Sequence, residues 1–489
     1  MLIQVTYCLD NKQQPFNRGG ILKLKIMKED IEYLALEGGG GCGNAFIGAI
    51  KALEDINVIQ HENFRIKNIK GVAGASAGSI TSLFLACGYN SREITDILKL
   101  ENFNKFFDGP DINKQPFLIN NNKMSNTRFL EREQKRLNGL SDIHKKILQG
   151  LGIKFKTLRD FKLGEFQGII GKYLNPIIDD VITNFGKNNL PDEVLLRIKK
   201  GKRDLVYCLH TDFGVFTGNE IRNFFDKWIS MARVRIENPD MFKNASISDL
   251  SRTYDQSKSS YEFKKLYMNT SIGDLGKLTK TKLAFTGTNM LDMKSYIFSS
   301  FDDMTNKISA ADIVRISMSI PFAYKPIIIE PEDLQYIFGS SDWKNHRELE
   351  GVWVDGGLTN NIPINAFKQF SNSSSQPNTF GLRLNKDEQT PIFNILDFIK
   401  QYLSLLGGTG EAHMSGTQPF NDNCIQLDAS PLKLFSFTPD PKDFDKVNAK
   451  SYVDVVKYFE CQNVCNPVCE FLLSQESGRS NGTVGNRLR

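Results

Sequence analysis

YLALEGGGGCGNAFIGAIKALE, residues Tyr33–Glu54, and GVAGASAGSITSLFLA, residues Gly71–Ala86, repeat one pattern twice. In each, a short apolar run stops at very small residues and apolar positions then resume at helical spacing. These positions are Ala45, Phe46, Ala49, Ile50 and Leu53 in the first stretch, and Ile80, Leu83, Phe84 and Ala86 in the second. The pair reads strand, glycine turn, helix, strand, serine turn, helix, and the rest of the chain is arranged around it.

The second turn has the spacing G-x-S-x-G, with Gly74, Ser76 and Gly78. A serine on a sharp strand-to-helix turn needs very small neighbours, and Ala75 and Ala77 also suit such crowding. Its hydroxyl then lies above the sheet edge, over a helix N-terminus that favours developing negative charge. The first turn has two readings. Gly38, Gly40 and Gly43 satisfy G-x-G-x-x-G, the dinucleotide-binding spacing, which would imply a nicotinamide or flavin oxidoreductase. That fingerprint wants an acidic residue at the end of the second strand, about 20 residues beyond the glycines. Gly74, Ala75 and Ser76 stand there instead. The competing reading, in which the glycines offer backbone N–H groups as an oxyanion hole for the neighbouring serine, uses both turns and is preferred.

A nucleophilic serine needs a base. The chain has five histidines, His61, His144, His210, His346 and His413. In the order serine, acid, histidine, His413 is the candidate if Asp355 is the acid, but its glycine-rich setting reads as a surface loop. Val352-Trp-Val-Asp355-Gly356-Gly357 offers a better partner, a carboxylate at the end of an apolar strand with two glycines that allow close approach.

Glu37 to Gly43, Gly74 to Gly78 and Asp355 to Gly357, in that order, resemble the three motifs of the patatin-like phospholipases, which use a Ser-Asp dyad without histidine. The resemblance implies Ser76 as nucleophile, Asp355 as base and Gly38, Gly39, Gly40 and Gly41 as the oxyanion loop. Gly43, Gly74, Gly78, Gly356 and Gly357 would be the motif glycines. Cys42 departs from the family, which usually has Arg or Lys there. Backbone donors survive that change, and any help from a cation is lost. Asn361 to Ile364 resembles the loop behind the dyad, and Ala311 to Pro326 the small-residue helix and proline turn before the aspartate strand. Arg315 on that helix is expected in a structural ion pair rather than at a head group.

The resemblance implies a three-layer α/β/α hydrolase, with a central mainly parallel sheet, helices on both faces and a helical cap. We expect N-terminal strands in residues 1–31, a main domain over 32–459 with a cap insertion over about 103–211, and a partly disordered tail over 460–489. Short strands are expected at Ile3–Cys8 and Ile21–Ile26. Phe103, Phe106, Phe107 and Phe117 suggest an irregular cap, Leu205 to Cys208 a returning strand, and Gly214 to Trp228 a further helix over the site. Strands are expected at Leu283–Thr286, Tyr296–Phe298 and Phe380–Leu384, and helices at Ser309–Ile320, Ile395–Leu406 and Ala449–Phe459.

With 40% hydrophobic and 24% charged residues, the composition is that of an ordinary globular chain. A net charge of +5 without a lysine or arginine block gives no reason to expect nucleic-acid binding, and permits weak attraction to an anionic membrane. Gly71 to Ser91 is uncharged and long enough for a membrane span, but its four glycines, four serines and strand-turn-helix pattern reject that reading. Met1 to Asp30 lacks the features of a secretory signal, so a cytoplasmic protein peripheral to membranes is expected, with export by a signal-independent route left open. The eight cysteines show no C-x-x-C pair and read as reduced thiols. Cys461, Cys465 and Cys469 form a stripe if helical, for packing, an interface or acylation.

The expected reaction is hydrolysis of a phospholipid or other acyl-lipid ester, with no metal or cofactor. A slow or inactive family member serving as a partner- or membrane-binding module is the alternative, and an unidentified protein activator is left open.

Overall fold

The computed structural model describes residues 26–111, 114, 116, 192–201, 204–205, 208–209, 212–370, 378–385, 423–432 and 439–463. The expected N-terminal strands, most of the 103–211 insertion, the Ile395–Leu406 helix, His144, His210 and His413, and the C-terminal tail lie outside them. So do the side chains of Cys461, Cys465 and Cys469.

The main sheet has eight strands: β1 (Tyr33–Leu36), β2 (Gly71–Gly74), β3 (Lys282–Asn289), β4 (Lys294–Ser299), β5 (Ile327–Ile329), β6 (Gly351–Asp355), β7 (Thr379–Asn385) and β8 (Cys424–Asp428). Their order is β8-β7-β1-β2-β3-β6-β5, with β4 paired to β3. The four pairings from β8 through β3 are parallel, and the pairings of β3 with β4, β3 with β6 and β6 with β5 are antiparallel. Helices α1 (Ala45–Asp55), α2 (Ala77–Ala86), α3 (Ser91–Leu100), α4 (Asn219–Glu237), α5 (Ala310–Ser317) and α6 (Pro441–Asn463) surround it.

One register feature decides where the site forms. β2 runs parallel to β3 and ends with Gly74 opposite Phe285, while β6 runs antiparallel to β3 and ends with Asp355 opposite Gly287. β4 covers β3 continuously from Ala284 to Asn289, so it takes the opposite edge at the level of both strand ends. β2 and β6 therefore share one edge of β3 and approach each other tip to tip, separated by Thr286.

Side chains alternate between the two faces. Leu34, Leu36, Val72, Leu283, Phe285 and Leu382 join the large apolar core beneath the helices. Tyr33, Ala73 and Ala284 face the other way and pack with Ala366 and Phe367, while Ala35 packs with Ile362 and Ile364. Among the described residues, the cover on that second face is the segment following Asp355, joined by Ile297 and Phe301. The segment is loop with short 3-10 turns at Gly356–Leu358 and Lys368–Phe370 rather than α-helix.

Four local expectations are revised. Leu205 and Cys208 are helical, with i to i+4 bonds from Leu205 N–H to the Gly201 carbonyl and from Asp212 N–H to the Cys208 carbonyl. A four-residue apolar run does not distinguish a buried helix from a strand, and both residues are buried three apart. Phe103–Phe106 forms a 3-10 turn inside the main core, against Phe224, instead of an irregular cap. α5 stops at Ser317, short of Ile320, because Ser319 turns its carbonyl to Asp355 N–H. α6 begins at Pro441 rather than Ala449, since Asp440 accepts from Lys442 N–H and Pro at the first helical position needs no donor.

Phe367 is fully buried and stacks on Tyr33 at 4.6 Å between ring centroids. Phe367→Ala is expected to cost about 3–5 kcal/mol of stability, the usual loss for a buried phenylalanine. Urea unfolding checks this: the midpoint should fall at unchanged slope, and a shift under 1 kcal/mol would mean the second face is not held by this ring.

Candidate active site

Ser76 sits between β2 and α2 at φ 47° and ψ −120°, a left-handed conformation in which a side chain is strained. The surroundings hold it there. Its N–H donates to Ser317 Oγ at 3.0 Å, and its carbonyl accepts from Ser79 N–H at 2.9 Å. Gly78 lies against β1 so closely that a Cβ there would come within 2.2 Å of the Leu36 carbonyl oxygen. Only glycine permits the turn to press onto the neighbouring strand.

Ser76 Oγ donates to Asp355 Oδ2 at 2.7 Å, and both residues are buried. The other carboxylate oxygen, Oδ1, accepts from Gly357 N–H at 2.7 Å. The Asp355 backbone is also held, with its N–H on the Ser319 carbonyl at 2.9 Å and its carbonyl on Thr288 Oγ1 at 2.9 Å. At Gly356 a Cβ would meet the Thr286 carbonyl oxygen at 2.3 Å, so the chain leaving Asp355 crosses directly over the gap between β2 and β6. The Asp355 carboxylate is thus aimed by Gly357, two residues on, while its backbone is fixed by groups far away in sequence.

The glycine loop is tied to the same centre. Glu37 is buried at the end of β1, and its carboxylate accepts from Asn361 Nδ2 at 2.9 Å and from Leu384 N–H at 2.6 Å. Asn361 in turn accepts Gly38 N–H on its backbone carbonyl at 2.9 Å. The Gly38 N–H is therefore engaged, although Gly38 was expected within the oxyanion loop. Gly40–Asn44 forms a 3-10 turn, and the N–H groups of its first residues, Gly40 and Gly41, have no preceding turn to bond.

Glu37, Asn361, Ser317 and Ser319 were not assigned roles from sequence. A buried acid between an apolar strand and glycines was the one available signal, at Glu37. The serines are ordinary until the fold brings α5 beneath Ser76.

Cys42 is buried and directs Sγ to the Leu432 carbonyl at 3.4 Å. Arg315 is fully buried and donates to the carbonyls of Thr217 and Lys325 and to the Ser319 hydroxyl. That corrects the expected ion pair. Its partners are carbonyls and a hydroxyl, with Asp108 and Asp312 acting only at longer range, and burial pushes its pKa down to about 10. It props Ser319 and, through it, Asp355. The described histidines are occupied elsewhere, His61 on Glu54 at 3.1 Å and His346 stacked on Phe338 at 3.5 Å.

The dinucleotide reading needs an acid where β2 ends, and that position is the serine turn. Among the described residues, no group of His, Cys, Asp and Glu could hold a metal ion, and no helix is long and apolar enough to cross a membrane.

A family model described as patatin-like phospholipase matches residues 34–368. Uncharacterized protein R571 of Acanthamoeba polyphaga mimivirus is 45% identical over 74 residues, 15% of this chain and 23% of that protein. The chain therefore matches less than a quarter of that curated relative's length. Among solved structures, VipD from Legionella pneumophila is similar at TM-score 0.41 and 14% identity, covering 88% of this chain and 67% of that one. The type III effector ExoU, of Pseudomonas aeruginosa, gives TM-score 0.36 and 11% identity, with 89% and 54% covered.

Cys42→Arg tests whether this position has room for a cation. Because the thiol is buried among core residues, arginine is expected to overfill the site and destabilise by about 1–3 kcal/mol. A melting temperature equal to that of the parent chain would show instead that the side chain escapes to solvent.

Proposed function

This chain belongs to the patatin-like phospholipase family, and on that premise we propose that it is a lipid acyl hydrolase using Ser76 and Asp355. The observation that carries the proposal is the 2.7 Å hydrogen bond from Ser76 Oγ to Asp355 Oδ2 at a strained strand-to-helix turn. In the proposed reaction, Ser76 Oγ attacks the ester carbonyl carbon while its proton passes to Asp355 Oδ2. The carbonyl π electrons move onto oxygen, where Gly39 to Gly41 supply N–H donors and the N-terminus of α2 supplies positive potential. Collapse breaks the ester C–O bond, and the leaving alcohol takes the proton from Asp355. Water then gives a proton to Asp355 and attacks the acyl-serine, releasing the fatty acid and returning the proton to Ser76. Gly357 holds Oδ1 throughout, which aims Oδ2 at the serine.

Ser76→Ala and Asp355→Asn are each expected to lower kcat/KM for a fluorogenic acyl ester by several orders of magnitude at unchanged melting temperature. An active Asp355→Asn variant would remove the carboxylate from the reaction, and the inactive-module reading gains if the parent chain cleaves no ester.

Membrane contact is proposed at the β3–β4 hairpin. β3 continues past the level of Gly74, so its tip stands on the same end of the sheet as Ser76. Met290, Leu291 and Met293 are exposed there, Leu291 by 71% and Met293 by 82%. Large apolar side chains in water at a hairpin tip suit insertion among lipid head groups. Replacing both Leu291 and Met293 by Asp should weaken sedimentation with phosphatidylglycerol-containing vesicles about tenfold or more, while cleavage of a soluble short-chain ester is kept. Equal vesicle binding would move the contact elsewhere.

A further inference from the structure

Asn361 stands four residues beyond Gly357, on the loop that leaves the aspartate strand, and its side chain has a fixed direction. Nδ2 donates to Glu37 Oε1 at 2.9 Å, while the other carboxylate oxygen, Oε2, accepts from Leu384 N–H at 2.6 Å. A carboxylate only accepts, so the amide nitrogen has to face Glu37; turned the other way, the amide would set oxygen against oxygen. The backbone is held as well, with the Asn361 carbonyl on Gly38 N–H at 2.9 Å.

The amide oxygen, Oδ1, therefore points towards the dyad. A Cβ built on Gly38 would stand 2.4 Å from Asn361 Oδ1 and 3.1 Å from Ser76 Cβ. A Cβ built on Gly357 would stand 2.6 Å from the same oxygen and 3.0 Å from Asp355 Oδ1. Asn361 Oδ1 thus lies about the width of one methyl group from each member of the pair. Its residue is partly exposed, so this corner of the site is open to water.

An amide oxygen has lone pairs and no proton, so what it offers is acceptance. The two halves of acyl transfer meet that offer differently. An ester oxygen has no hydrogen to give, and the leaving alcohol has a single O–H, made with the proton that Asp355 returns. Water has two hydrogens. One goes to Asp355, and the other needs a second acceptor.

Resting on the hydrolase reading above, we propose that Asn361 is a catalytic residue of the second half-reaction, its Oδ1 accepting a hydrogen bond from the deacylating water. The water oxygen bonds to the acyl carbon as one proton passes to Asp355 Oδ2 and the carbonyl π electrons move onto oxygen. The second O–H stays on the attacking oxygen and is held by Asn361 Oδ1. Collapse breaks the bond to Ser76 Oγ, which takes the proton from Asp355, and the fatty acid leaves with the O–H that Asn361 held. An alcohol attacking the same acyl-serine brings carbon where water brings that hydrogen. Asn361 thus favours hydrolysis over transfer of the acyl group to alcohols.

Partition of the acyl-serine between water and methanol tests this, because both products come from one intermediate and their ratio does not depend on how fast it forms. In Asn361→Leu, which fills a similar space without an acceptor, the ratio of methyl ester to free acid should rise about threefold to tenfold over the parent chain, the worth of one neutral hydrogen bond. Asn361→Ala, which introduces nothing larger than the parent side chain, gives the same comparison if the leucine variant does not fold. A ratio equal to the parent's in a folded, active variant overturns the proposal and leaves Ser76-dependent cleavage standing. So does a folded variant in which mass spectrometry finds Ser76 no longer acylated, since Asn361 would then serve the first step. A parent chain that cleaves no ester, or whose cleavage survives Ser76→Ala, overturns the hydrolase reading and this proposal with it.

Discussion

β2 and β6 meet end to end on one edge of β3, and the contact between Ser76 and Asp355 depends on that arrangement. A strand edge normally carries one neighbour along its length. Here the parallel neighbour stops at Phe285 and the antiparallel one stops at Gly287, so two chain reversals are forced into the space of one residue. Both turns must be small to fit. Thr286 carries the crossing, and the absence of a side chain at Gly356 lets the backbone lie against its carbonyl. The opposite edge of β3 is paired with β4 from Ala284 to Asn289, which keeps the strand from shifting to relieve the crowding.

Strain at Ser76 is tolerated because the neighbourhood over-determines it. A left-handed non-glycine residue costs of order 1–3 kcal/mol and persists only when surrounding bonds outweigh it. Ser317 takes its N–H, Asp355 takes its hydroxyl, and Gly78 presses the turn onto β1. Ser319, two residues beyond Ser317, holds the Asp355 backbone and is itself held by Arg315. The end of α5 thus supports both members of the pair, so a shift of that helix end would move serine and aspartate together. Glu37 does the same for the other side of the site, linking Asn361 and Leu384 on either side of the glycine loop.

Polar and apolar tasks are separated by α2. Its N-terminus points at the polar centre, where backbone N–H groups and a carboxylate are held in fixed directions. Its flank lines an apolar cavity with no charged residue.

The local grammar around Tyr33–Ala86 was readable because small residues, turn chemistry and hydrophobic period agree there, each a property of a few neighbours in sequence. The strands at Leu283, Tyr296 and Phe380 and the helix after Gly218 were readable for the same reason. The Leu205–Cys208 run was misread because four apolar residues have no period to measure, and the helix ends at Ser317 and Pro441 were displaced by bonds to partners and by capping that the periodicity did not register. The sequence by itself therefore determined the α/β grammar, the two tight turns and the three motifs that place the chain in its family. Tertiary structure alone decided that β6 runs antiparallel into the end of β2, that Gly38 gives its N–H to Asn361, and that Cys42 is packed away from solvent. Those outcomes depend on contacts across tens to hundreds of residues, and side-chain identity at one position does not specify which distant backbone group will be there to meet it.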